Sequence, residues 1–228
     1  MQAESDSEST QKFPVAEENR VRRVPSRGSY TRADIYPILD DALVGQVGFD
    51  SENGPVVIPM LFARDGDRIL LHGSTKSRLM LAIISGKKVC FSVTLLDGIV
   101  LAKSLFHHSM NYRAATCFGR GSEITGSDER MEALRLMSEK VLPSRWSDAR
   151  QPHEKEMKAT CIAAIEIESA SAKIRNGPPI DEPDDLSLPV WSGILPMRTI
   201  AEEPVADEHT QTDVPAYMHD WRKAFNSQ

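Results

Sequence analysis

Residues 56–78 read VVIPMLFARDGDRILLHGSTKSR, and the order of residue types in this stretch sets the architecture. Two runs rich in Val, Ile and Leu, 55–63 and 68–72, flank RDGD at 64–67, which predicts two short antiparallel strands joined by a turn. The second run stops at His72 and is followed by Gly73, Ser74, Thr75, Lys76, Ser77 and Arg78. Gly73 lets backbone amides approach an anion, the hydroxyls donate hydrogen bonds, and Arg78 can grip two phosphate oxygens at once. A small cationic turn of this kind between a strand and a helix suits a phosphate; it equally suits an ordinary capped turn with Lys76 and Arg78 in water.

Outward from this stretch, short apolar runs at 43–49, 88–95, 99–105, 112–124 and 160–169 alternate with turn-like SENG at 51–54 and LDG at 96–98. Closely spaced antiparallel strands of this length curl into a barrel. Helices interrupt the pattern. Thr31 with Asp34 forms a capping arrangement ahead of Ile35, Ile38, Leu39 and Ala42, predicting a helix near 32–42. A short helix is predicted from 77 to about 85, and a longer one over 128–141 with Met131, Leu134, Met137 and Val141 inward. The fold class is therefore mainly β, with an antiparallel barrel and flanking helices.

A second polar cluster, FHHSMNYR at 106–113, offers Ser109 and Asn111 to ring carbonyls or nitrogens, Tyr112 to an aromatic face, and Arg113 as another cation. Read alone, it is also a loop with a histidine pair and an arginine at a strand start. The adjacent His107 and His108 point apart in a strand and have no third ligand at recognisable spacing, so no metal site is expected. Taken together, the two clusters suggest a phosphorylated aromatic cofactor.

Charge supports a small anionic ligand. Of −6 overall, residues 1–18 carry −4, 181–200 carry −3 and 201–228 carry −4, which leaves +5 on residues 19–180. The cations are scattered and do not form a stripe, which argues against nucleic acid. No run is long and apolar enough for a membrane span, and the acidic N-terminus lacks the basic-then-apolar order of a signal peptide, so a cytoplasmic protein is expected. Cys90, Cys117 and Cys161 are widely separated and odd in number, which fits reduced thiols. Three regions are expected: an unstructured acidic tail over 1–18, the barrel over 19–200, and an extension over 201–228 whose Tyr217, Met218, Trp221 and Phe225 form one face of a helix.

The segments 38–49, 56–78, 89–124 and PVWSGILPM at 189–197, in this order, resemble the split-barrel flavin-binding proteins related to pyridoxamine 5′-phosphate oxidase, within them the branch of nitroimidazole-resistance (Nim) reductases. The similarity spans about residues 22–200. It implies a split β-barrel homodimer with FMN at the subunit interface. By motif, Pro59, Met60 and Leu61 would flank the flavin ring. His72, Gly73, Ser74, Ser77 and Arg78 would form the phosphate end. Ser109, Asn111, Tyr112 and Arg113 would complete the pocket, and Trp191 would approach it across the dimer. His72 would stand near the reactive face of the ring, as a proton donor or substrate-orienting group. The vitamin B6 oxidases carry a C-terminal arginine and histidine that WSGILP lacks, so oxidation of pyridoxamine phosphate is not implied. The function expected is an FMN-dependent oxidoreductase acting on a small aromatic or conjugated acceptor; the alternative is a flavin- or haem-binding storage or sensor protein on the same fold.

Overall fold

The computed structural model describes residues 11–227. Nine strands form one antiparallel sheet: β1 (Gly28–Ser29), β2 (Val44–Ser51), β3 (Gly54–Leu61), β4 (Ala63–Asp65), β5 (Arg68–Ser74), β6 (Lys88–Leu101), β7 (Ser109–Glu123), β8 (Thr160–Arg175) and β9 (Gly193–Pro196). The order is β3-β2-β6-β7-β8-β5-β4, with β1 on β8 and β9 on β6. The sheet curls into a split barrel whose open seam lies between β3 and the β4–β5 hairpin. Six helices accompany it: α1 (Arg32–Asp41), α2 (Arg78–Ile84), α3 (Ser127–Val141), α4 (Arg145–Asp148), α5 (Glu154–Ala159) and α6 (Ala216–Asn226).

Alternation along the strands builds the interior. Val47 and Phe49 of β2, Val89, Phe91 and Val93 of β6, and Ile69 and Leu71 of β5 are buried together with Ile35, Ile38 and Leu39 of α1. The Thr31 hydroxyl accepts from the Asp34 amide, so the capping arrangement forms as the spacing predicts. Gly45 is required by packing, since a Cβ there would stand 2.1 Å from Cζ of Phe91. Pro59 is tolerated because β3 ends the sheet path and its second edge needs no amide donor.

A second, smaller core lies outside the barrel. Leu70 of β5, Ile162 and Ala164 of β8 and Ile124 meet Ala133 and Met137 of α3. Strand β5 therefore serves two cores with alternate residues: Ile69 and Leu71 point inward, while Leu70 and His72 point towards α3.

Several elements differ from the sequence expectation. LDG at 96–98 is no hairpin turn; it is a bulge in the continuous strand β6, where the register against β7 shifts between Leu96 and Gly98. The run 55–63 breaks at Phe62 into β3 and β4. Residues 1–10 of the expected acidic tail lie outside the described residues. Its remainder packs on the barrel, with Phe13 in the interior core, and it is tied down by the buried Asn19 just beyond it, whose amide donates to the Pro14 and Ala170 carbonyls at 2.8 and 3.0 Å. Burial of one aromatic ring and of a satisfied amide outweighs the polar composition of that segment. No described helix is long and apolar enough to cross a membrane, and all three cysteines are free thiols.

Candidate functional site

His72 opens into a cavity of about 340 Å³ between the barrel seam and the α3–α4 segment. Its walls are apolar: Leu61 at the end of β3, Phe62, Leu134, Met137 and Val141 on α3, then Leu142 and Trp146. The helix face that the sequence places inward is thus partly a cavity wall, and Leu134 and Val141 remain incompletely covered. Arg145, Arg150 and Gln151 stand at the rim. Arg145 donates to Asp148 at 3.0 Å and to the Tyr217 hydroxyl of α6 at 3.2 Å, and Arg150 is paired with Glu156. His72 keeps an exposed edge, and its partial enclosure by the cavity wall lowers its pKa from the ordinary histidine value, which favours the neutral ring with a free nitrogen lone pair.

Phe62 lies between this cavity and a half-buried ammonium. Lys140 Nζ lies 4.2 Å from the Phe62 ring centroid and donates to the Leu39 carbonyl at 2.5 Å. Burial pulls its pKa down to about 8, against the opposing charges of Asp40 and Asp41.

Two residues beyond His72, where β5 ends, the turn keeps its cations free. Ser74 Oγ accepts from the Lys76 amide at 3.2 Å, and Ser77 precedes α2 without a capping bond from its side chain. Among the described residues neither Lys76 nor Arg78 has a carboxylate partner, in contrast to Arg64, Arg68 and Arg113. Gly73 packs closely on α2: a Cβ there would come within 3.0 Å of Met80.

The second cluster is placed elsewhere. His72 pairs with Ile162 near the start of β8, whereas Tyr112 pairs with Arg175 at its end. Those positions are about 40 Å apart along the strand, so one protomer does not bring the two clusters together. Arg113 is held by Asp41 at 2.5 Å and Asp97 at 3.0 Å. Asn111 is buried, and its carboxamide oxygen accepts from Arg175 and from the Gly177 amide. Arg175 is itself buried, and among the described residues no carboxylate pairs with it and its Nε has no partner. Ser109 begins β7 and Tyr112 is half-buried. Of the proposed ring-flanking residues, Pro59 and Leu61 face outward on β3, and the Met60 side chain packs towards the interior. Trp191 is two-thirds exposed.

A larger cavity of about 850 Å³ lies at the other side of the same sheet face, lined by Thr94, Leu96, Asp97, Arg113, Met197, Arg198 and Phe225 among others. Val44 pairs with Leu61, and the register Gln46 to Ser92, continued by two residues, sets Val44 beside Thr94. Leu61 in one cavity and Thr94 in the other are therefore two strand spacings apart, about 10 Å. Sequence reading missed Arg145, Trp146 and Arg150; α4 and α5 are too short to show a period, and only the Arg-Trp pair in SRWSDAR hints at them.

The sequence profile of the pyridoxamine 5′-phosphate oxidase family matches residues 31–174. The chain belongs to this family. Among solved structures, the flavocytochrome Anf3 from Azotobacter vinelandii is 32% identical over 90% of this chain and 96% of its own, with a TM-score of 0.85. The FAD and heme binding protein from Mycobacterium smegmatis is 31% identical over 85% of this chain and 96% of its own, with a TM-score of 0.81. A 5-nitroimidazole antibiotic resistance protein from Bacteroides thetaiotaomicron shares the fold at 20% identity, covering 64% of this chain and 86% of its own, with a TM-score of 0.55. No curated protein matches the chain. In this chain α3, α4 and the segment 149–152 wall the outer side of β5 into a cavity.

Proposed function

We propose that this chain is a flavin- and haem-binding oxidoreductase that passes electrons to a small acceptor. One observation carries the reading: a neutral histidine in an apolar cavity with two arginines at its mouth. That donor set fits a haem. His72 would ligate the iron, the Leu, Phe, Met and Trp side chains would cover the macrocycle, and Arg145 and Arg150 would exchange their exposed partners Asp148 and Glu156 for its carboxylates. The relatives described as a flavocytochrome and as an FAD and heme binding protein support the pairing of cofactors.

The flavin would lie on the outer face of β2 and β3 along Pro59 and Leu61, with its phosphate on the Ser74–Arg78 turn. FMN satisfies these groups. Exposed Val44, Val57 and Leu61 on this face suit a second copy of the chain, and a dimer would give each flavin a second wall. A flavin and a haem together supply two-electron uptake and single-electron delivery. The protein's part is to hold His72 unprotonated, to keep water from the apolar cavity, and to set Leu61 between the two sites.

The visible spectrum of purified protein tests this directly. A flavin band and a Soret band in one preparation, both bleached or shifted by anaerobic NADH or NADPH and restored by an acceptor, are expected. Flavin alone, with hemin titration leaving the spectrum additive, contradicts the haem assignment. Cofactors that cannot be reduced or reoxidised favour the storage or sensor alternative.

A further inference from the structure

The larger cavity lies apart from the turn assigned to the flavin phosphate and from the cavity assigned to the haem, yet its free groups are specific. Two of its carboxylates, Asp41 and Asp97, are already neutralised by Arg113. What remains is Arg198, whose guanidinium has no carboxylate partner among the described residues and only a 3.4 Å contact with the Asn226 carbonyl. Thr94 and Thr199 add hydroxyls. Phe225 supplies an aromatic plate, stacked on Trp221 with centroids 4.9 Å apart and planes at 22°. Leu96 adds an aliphatic side chain to the lining.

One cation, two hydroxyls and a flat apolar slot match the phosphate, ribose and base of a nucleotide. A lone phosphate would leave Phe225 unused, and an apolar ligand would strand Arg198. The cavity also opens about 10 Å from Leu61 along the row Leu61, Val44, Thr94. That is within the reach of a dinucleotide whose other half lies over the flavin face.

We infer that this cavity is an adenylate subsite: it takes the adenosine phosphate half of a dinucleotide whose redox end lies on the outer face of β2 and β3. The inference rests on the flavin reading for that second half. The adenylate belongs either to the flavin itself, as FAD, or to a nicotinamide dinucleotide donor.

The two sources separate experimentally in the full-length purified protein. In the first case denaturation releases FAD, and R198A or F225A retains about a tenth as much flavin after dialysis. In the second case flavin content is the same in wild type and both variants, calorimetry detects saturable 5′-AMP binding that competes with NADH or NADPH, and R198A weakens it about tenfold. Unchanged flavin content in both variants, with 5′-AMP unbound by wild type or bound by R198A and F225A as tightly as by wild type, overturns the inference. Thr94→Val, a near-isosteric change, checks the result if F225A fails to fold. Failure of the flavin and haem reading is a different outcome, a colourless protein, and the 5′-AMP titration remains readable in it.

Discussion

Leu61 and His72 share the wall of one cavity although their strands do not pair, β3 ending the sheet path on one side and β5 lying next to its other end at β4. The meeting is made by the seam of the split barrel. It places the outer face of β3, where a flavin would lie, directly against the pocket that His72 opens.

Leu61 is half-exposed, so a charge there is tolerated by the fold and not by an apolar ligand. Leu61→Lys is expected to lower haem content by at least tenfold while thermal unfolding moves by only a few degrees, about what surface substitutions give. Absorbance per protein and a melting curve measure both.

Arg78 has no competing carboxylate among the described residues. Arg78→Ala is expected to weaken flavin binding about tenfold, the scale of one charge-assisted hydrogen-bonded contact, and to leave the Soret band unchanged. Fluorescence of dialysed flavin checks it. Equal retention would remove the phosphate from this turn.

Asn111 behaves differently. Its oxygen serves the buried Arg175 and the Gly177 amide, so Asn111→Ala leaves polar groups unpaired. A loss of about 1–3 kcal/mol in denaturant unfolding is expected, with flavin stoichiometry unaltered.

That contrast shows what the residues alone disclose. The hairpin and the turn of 56–78 are legible because apolar alternation and Gly, Ser and Asp punctuation are local signals. The helix over 127–141 is legible by its period, but nothing local tells that its inner side faces a void. Arg113 looks free in sequence because its partners Asp41 and Asp97 lie 72 and 16 residues away. Asn111 looks available for the same reason, as Arg175 is 64 residues distant. The register of β7 against β8, which separates FHHSMNYR from His72, is likewise a tertiary fact.

Lys140 makes stability depend on pH. Its ordinary pKa is 10.5, and burial brings it to about 8 in the folded protein. Between those values the unfolded chain holds a proton that the folded chain has released, so stability rises with pH across the window. After solvent screening at this partly open position the gain is about 1–2 kcal/mol. Urea unfolding of wild type and Lys140→Met, compared at about pH 7.5 and about pH 10, is expected to show the rise in wild type only.

The central claim is that His72 ligates a haem iron, and hemin titration of wild type against His72→Ala tests it most directly. The account predicts a sharp Soret band in wild type with one haem per chain, its affinity falling in acid as the imidazole takes up a proton, and a broad, weak, non-saturating response in H72A with flavin content preserved. Equal haem affinity and identical Soret spectra in the two proteins would contradict it.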